Sequence, residues 1–241
     1  MILALLSDLH ANLEALQACL KHARAAAATR YAFLGDLVGY GADPRAVLAL
    51  VRKYAAEGAV VVQGNHDAAV AGSATGLNDD AREGAAWTRA ELDPEERAWL
   101  ASLPASAREG EICLVHASAA DPLGWEYVDD PGRAEKSVRA SGATWTFSGH
   151  VHRQVLWFGG DRMRAFRPTP GAAVPVGRNR KWLATVGSVG QPRERNPAAA
   201  YALFDPERET LTFHRVPYDH EAAARKIRVA GLPELIPWRT P

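Results

Sequence analysis

Short apolar runs closed by polar, glycine-bearing turns alternate with amphipathic stretches through the first 150 positions of the chain. Ile2 to Leu6 is continuously apolar, which predicts a strand covered on both faces. Asn12 to Ala28 follows, with Leu13, Leu16, Leu20 and Ala23 at helical spacing. The βα unit then repeats. Tyr31 to Leu34 reads as a second strand ending at Gly35-Asp36, and Asp43-Pro44 opens another helix, with Asp as N-cap and Pro at the first helical position. Ala59 to Val62 gives a third strand that runs into Gly64-Asn65-His66-Asp67. From Ala68 to Leu103 the spacing is mostly helical, with a start at Asp93-Pro94, and this segment is expected to cover the sheet and overhang its edge. Glu111 to Val115 is a strand ending at His116, Asp130-Pro131 opens a short helix, and Thr144 to Phe147 is a strand ending at Ser148-Gly149-His150.

Beyond that point the periodicity changes. Gln154 to Phe158, Arg162 to Phe166, Lys181 to Val186, Ala200 to Phe204 and Thr210 to Arg215 are strand-like with no long helix between them, which predicts a second, mainly antiparallel sheet. Pro168 to Pro175 is the most loop-like stretch, Asp219 to Val229 closes with a helix, and a Pro-rich tail through Trp238 to Pro241 reads as a docking or loose end. No solenoid period and no low-complexity linker interrupts the pattern. An α/β chain of 241 residues is therefore expected to form one domain over 1–241.

Charge narrows the partners. Lys+Arg and Asp+Glu are both 28, so no broad basic field is available for non-specific nucleic-acid binding, and a local positive site would need another source such as bound metal. The seven Trp are not clustered with basic residues as a base-stacking surface would be. Cys19 and Cys113 read as small buried hydrophobes in a reducing compartment. Met1 to Leu6 lacks a basic flank and meets Ser7-Asp8 too soon for a signal peptide, and no later run has the length of a membrane span. The expectation is a soluble cytoplasmic protein; the oligomeric state is left open.

Five strand ends carry the candidate chemistry: Asp8-Leu9-His10, Gly35-Asp36, Gly64-Asn65-His66-Asp67, His116 and Gly149-His150-Val151-His152. In an open parallel sheet the carboxyl ends of the strands share one edge, where residues distant in sequence converge. Asp8 with His10, and His150 with His152, are spaced by two, so in extended chain each pair projects to one side. Carboxylate, imidazole and amide oxygen without thiolate favour divalent first-row metals over Cu(I) or an iron-sulfur cluster. Seven such donors (Asp8, His10, Asp36, Asn65, His116, His150 and His152) exceed what one ion with an open position takes, and suit two ions bridged by the lone carboxylate Asp36. Two divalent ions less the charges of Asp8, Asp36 and a hydroxide leave about one positive unit, which attracts a phosphate ester.

The ordered set of these motifs resembles the calcineurin-like metallophosphoesterase superfamily. The stretches Gly35-Asp36-Leu37-Val38-Gly39-Tyr40-Gly41 and Gly187-Ser188-Val189-Gly190-Gln191-Pro192-Arg193 resemble its small bacterial and archaeal phosphodiesterase-like branch, over residues 2 to about 204. The resemblance implies a four-layer α/β/β/α sandwich of two mixed sheets flanked by helices. It also implies two divalent metal ions, with Mn favoured among Mn, Fe, Ni, Co and Zn. By that resemblance Asp8, His10, Asp36 and His152 would hold the first ion, and Asp36, Asn65, His116 and His150 the second. A metal-bridging hydroxide would attack phosphorus, and His66 would protonate the leaving group, with Asp67 holding its tautomer. Tyr40 and Arg193 are candidates to line the site; a turn Tyr and a surface Arg are the competing readings. Asp67 could equally be a helix cap. His22, His214 and His220 fall outside the motifs and read as surface or helix residues.

One departure bears on substrate. The superfamily's protein phosphatases carry arginines after the second and third motifs to clamp a monoester dianion, whereas these positions read Leu37-Val38-Gly39-Tyr40 and Ala68-Ala69-Val70 here. A small phosphodiester or nucleotide substrate is the expectation. The alternatives are phosphomonoesterase or protein phosphatase activity, or a metal-binding scaffold with little catalysis.

Overall fold

The computed structural model describes residues 1–72, 79–160, 162–194 and 196–233, so the tail from Trp238 to Pro241 lies outside them. β1 (Ile2–Leu6) and β2 (Ala28–Phe33) are parallel neighbours joined by α1 (Leu13–Ala25), and α2 (Pro44–Ala56) leads to β3 (Val60–Val61). Asn12 caps α1 by accepting the Ala15 N–H at 3.1 Å. The helix ends sooner than its apolar spacing predicts because Ala27 turns left-handed, with φ 61°, and gives Ala28 to the strand. Asp43 stands at the N-cap of α2 but makes no cap bond; its carboxylate takes the Lys226 ammonium at 2.7 Å instead.

The helical segment after β3 divides into α3 (Asn65–Ala71), α4 (Asp79–Glu91) and α5 (Pro94–Ser102), the last closed at its start by a reciprocal Asp93–Glu96 capping box. Two strands with no clear sequence signal follow different logics. β4 (Ser106–Glu109) is a polar edge strand, half its residues exposed, and β9, described below, lies inside the stretch that reads as loop. β5 (Ile112–Val115), α6 (Pro131–Ser141) and β6 (Trp145–Ser148) form a second βαβ unit.

The remaining strands are β7 (Gln154–Gly159), β8 (Met163–Phe166), β9 (Ala173–Pro175), β10 (Lys181–Val186), β11 (Ala199–Asp205) and β12 (Thr210–Val216), before α7 (His220–Val229). They do not build a sheet of their own, which corrects the expectation from their pattern. β11, β12 and β9 extend the first sheet in the order β3-β2-β1-β11-β12-β9, and β10, β7 and β8 extend the second in the order β4-β5-β6-β10-β7-β8. Both sheets are mixed: the first is parallel on one side and antiparallel on the other, whereas the second is parallel at its centre, through β5, β6 and β10, and antiparallel at both edges. β11 is buried from Ala199 to Phe204, as suits a strand covered front and back, whereas β12 alternates and β8 and β9 are largely exposed.

The sheets pack face to face. Leu5, Leu34, Phe147, Val186 and Phe213 lie in the core between them, where the Trp145 and Phe147 rings meet Phe204 at centroid distances of 5.0 and 5.1 Å. A second core lies under α1 and α2 on the outer face of the first sheet, and a smaller one places α6 on the outer face of the second through Ala134, Val138, Trp157 and Leu183. The result is a four-layer α/β/β/α sandwich.

His22 and His214 are not simple surface residues. On the outer side of the first sheet the His22 Nδ1 lies 2.6 Å from the Tyr201 hydroxyl, and the His214 ring stacks on Tyr201 with centroids 5.2 Å apart. Burial, helped by His22, pushes His214 down to about 4. A histidine with a folded pKa below its unfolded one contributes stability that is present above about 6.5 and lost as pH falls toward 4. Wild-type melting temperature should therefore drop across that window more steeply than that of His214→Leu, and equal slopes by calorimetry would refute a neutral His214.

Candidate metal centre

The chain breaks left-handed where the first, second and fifth motifs leave their strands. Asp8, His10, Asp36, His150 and His152 have φ between 46° and 63°, so the pairs spaced by two do not converge by strand alternation as an extended reading predicts. They converge because the chain turns back on itself after β1 and β6. Asp and His tolerate this region better than most L residues, yet each such position costs about 1–3 kcal/mol that the surroundings must offset.

Backbone hydrogen bonds supply much of that offset by zipping the loops together. Asp8 N–H donates to Gly35 O at 3.0 Å, His10 N–H to Asp36 O at 2.9 Å and Ala11 N–H to Leu37 O at 3.0 Å. From the far end of the chain, Gly190 N–H and the Ser188 hydroxyl both reach Asp8 O at 2.9 Å, which gives the Gly187 to Arg193 stretch its physical role. Two glycines allow the loops to close: a Cβ at Gly64 would land on the Asp36 amide and carboxylate, and one at Gly149 on the Ser7 hydroxyl and Asp8 carboxylate.

The donors come from both sheets. Asp8, His10, Asp36 and Asn65 follow β1, β2 and β3; His116, His150 and His152 follow β5 and β6. At one end the His152 Nε2 lies 3.1 Å from Asp8 Oδ1 and 3.2 Å from His10 Nε2. At the other the His116 Nε2 lies 3.3 Å from Asp36 Oδ2 and 3.2 Å from both Asn65 Oδ1 and His150 Nδ1. Donors bound to one ion at about 2.1 Å stand roughly 3.0–3.4 Å apart in octahedral or tetrahedral arrangement, so these spacings suit a shared cation. Asp36 faces both ends, its Oδ2 also 3.8 Å from His10 Nε2, while Oδ1 is held by the His66 N–H at 2.9 Å.

The outer nitrogens fix the rings. His116 Nδ1 lies 2.7 Å from Leu34 O and His152 Nδ1 lies 2.7 Å from Gln191 O, so both imidazoles carry their proton outward and present Nε2 to the centre. Burial alone would raise both carboxyls, but His152 holds Asp8, and His116 holds Asp36, below the ordinary carboxylate range. His116 moves the other way: burial lowers it, and Asp36 carries it up to about 9. Burial lowers His10 and, with His116, pushes His150 down to about 3. Two ionised carboxylates among mostly neutral imidazoles form a site that takes cations, with the His116 proton exchangeable for metal.

Asp67 takes the helix-cap role. Its oxygens accept the backbone N–H groups of Leu37 at 2.8 Å, Val38 at 3.3 Å and Gly64, the residue before α3, at 2.9 Å, which locks the second loop to the third. His66 is buried between the Tyr40 and His10 rings, at 4.5 and 5.0 Å, with Nδ1 unpartnered. It also falls within ligand reach of His10 and Asp36. Tyr40, with φ 63°, packs 4.8 Å from His10 as well. Arg193 is exposed, its guanidinium 3.3 Å from Gln191 Oε1.

Other contributors escape motif reading. Asn12, Gln191 and His220 line a cleft beside His10, roofed by Ala223 and Ile227 of α7, and the Lys226 ammonium ties that helix to Glu14 and Asp43 at 2.5 and 2.7 Å. On the opposite flank the Tyr127 ring stacks on His150. Only the Gly187 to Arg193 motif gave a signal for any of these.

A two-sheet α/β sandwich with acid and imidazole donors at its paired strand ends defines a metal-centred hydrolase class. The chain belongs to the calcineurin-like phosphoesterase superfamily, whose domain model matches residues 1–209. It is 35% identical to a metallophosphoesterase from Sphaerobacter thermophilus, over 97% of this chain and 95% of that one, with a TM-score of 0.86. An uncharacterized protein of Methanocaldococcus jannaschii is 31% identical across 97% of this chain and 94% of its own length. A hypothetical protein from Pyrococcus horikoshii OT3 shares the fold at 22% identity and a TM-score of 0.80, covering 98% and 96% of the two chains. The family is divalent-metal dependent, and the protein is a phosphoesterase by membership. No helix among the described residues is long and apolar enough to cross a membrane.

Gly64→Ala should displace the Asp36 carboxylate without removing any donor. Metal content by plasma emission after Mn loading should fall well below wild type; full occupancy would mean that Asp36 does not hold the ion.

Proposed function

We propose that the protein is a dinuclear-metal phosphodiesterase acting on a small phosphodiester or nucleotide, with His66 as the general acid. The observation that carries this reading is Asp36, whose Oδ2 faces the Asp8–His10–His152 end and the Asn65–His116–His150 end at once. Two divalent ions held there, with Mn the favoured pair, would supply a water of lowered pKa and positive charge toward the phosphoryl oxygens.

The chain's own residues do the rest. The imidazoles of His116 and His152 are locked in the tautomer that offers Nε2, and the buried loops exclude bulk water from the donors. His66 packs against His10 at the first end, and its imidazole is the group that would give a proton to a leaving alkoxide. Burial lowers its proton affinity below the ordinary histidine range, and Asp36 opposes that shift in part. The neighbourhoods that would carry clamping arginines read Leu37-Val38-Gly39-Tyr40 and Ala68-Ala69-Val70, with no arginine in either, which favours the singly charged diester over a monoester dianion. Unpaired, buried Cys19 and Cys113 fit a cytoplasmic setting.

With Mn, bis-p-nitrophenyl phosphate should turn over faster than p-nitrophenyl phosphate; turnover of the monoester alone would sink the diester reading. His66→Ala should keep its bound metal and lose about 100-fold or more in kcat. Loss of metal in step with activity would instead make His66 a ligand, a role that its place near His10 and Asp36 permits.

A further inference from the structure

The loop from Ala117 to Asp130 rises from the His116 motif and returns through α6, and it carries two of the largest exposed apolar side chains among the described residues, Leu123 and Tyr127. The Tyr127 ring lies flat on His150, with centroids 4.1 Å apart and planes inclined by 21°, yet the residue keeps 44% of its surface open. One face of the ring is thus committed to a candidate metal ligand while much of the side chain remains uncovered. Trp125, two residues earlier in the same loop, stands with its ring 6.0 Å from His116 and its backbone left-handed at φ 53°.

This loop is built to hold those rings. Gly124 N–H closes a turn on Asp121 O at 3.1 Å, and Ala119 N–H is tied to the Ser137 hydroxyl of α6 at 2.9 Å. Val128, one residue past Tyr127, is buried in the core under α6. Glu126 lies between Lys136 and Arg133, at 3.5 and 4.0 Å, so its charge is balanced locally. An aromatic ring left open to water costs solvation free energy unless something covers it, and holding a bulky Trp left-handed adds strain; both at the rim of a functional site point to a role in binding.

We propose that Tyr127 is a stacking shelf for a planar aromatic group on the substrate, a nucleobase in particular, seated on the His116–His150 flank of the centre. The shelf rests on the phosphodiesterase reading and narrows it to diesters that carry such a group. Stacking selects for a flat face with little regard to base identity, so the shelf gives discrimination between aromatic and alkyl esters and little among the bases. Tyr127 is a positioning residue that takes no part in proton transfer.

Calorimetric binding of AMP, phenyl phosphate and inorganic phosphate to the Mn-loaded protein tests this, in wild type, Tyr127→Phe and Tyr127→Ala with metal content measured for each. AMP should bind wild type at least tenfold more tightly than phosphate does. Tyr127→Phe should keep that ratio within about twofold, whereas Tyr127→Ala should lose most of it at unchanged metal content. A purely structural Tyr127 would weaken AMP and phosphate alike, and that outcome, or a wild-type ratio near one, overturns the shelf. Turnover of bis-p-nitrophenyl phosphate with no AMP preference removes the shelf and leaves the phosphodiesterase reading intact. A Tyr127-dependent AMP preference without turnover of any diester upholds the shelf and removes that reading.

Discussion

Two carboxylates buried to within 1% of complete enclosure, Asp8 and Asp36, set the terms for the rest of the molecule. An ionised carboxylate inside protein is tolerable only when nearby positive charge and N–H groups replace its lost hydration, and the fold supplies both. The carboxylate of Asp8 takes the His150 N–H from the opposite sheet at 3.0 Å, and that of Asp36 takes the His66 N–H at 2.9 Å. Imidazoles stand around both. The remaining deficit is positive charge, and a divalent-metal family answers it with ions. The left-handed turns, the two glycines under the carboxylates and the far loop at Ser188 and Gly190 all serve to bring these groups to one place.

Much of the fold was legible because its parallel halves announce themselves. A βα unit needs a short apolar run, a turn and an amphipathic helix, and the sequence shows all three twice before residue 60 and again between Ile112 and Ser148. The sheet membership of the later strands was not legible. A strand buried on both faces looks the same whichever sheet it joins, so β10 and β11 read alike although β10 pairs with β6 and β7, and β11 with β1 and β12. β4 and β9 were hidden for the opposite reason: edge strands need little apolar pattern, and their register comes from the neighbour.

The donor set was readable as an ordered list, but the manner of its convergence was not. Spacing by two suggested strand alternation, and the structure uses reversed turns, for which Asp and His carry only a weak sequence preference. Asp67 shows a similar limit. A carboxylate next to an imidazole in sequence suggests a partner, while three backbone N–H groups from two loops claim it first. Tyr127 shows the limit most plainly: an aromatic in an irregular loop has no periodic pattern around it, and only the fold reveals that it lies on His150.

The split of the donors between the sheets has a mechanical meaning. His152 meets Asp8 and His10, and His116 meets Asp36 and Asn65, so each end of the centre spans the seam between the two sheets. An ion bound at either end is therefore a rivet through the sandwich, joining layers that are otherwise held there by the greasy contact of residues such as Leu34, Phe147 and Phe204. Strain travels both ways along such a joint. A repacked interior far from any donor would shift one sheet against the other and alter the spacing of the donors, and a centre without its cation would let the layers part at that edge first.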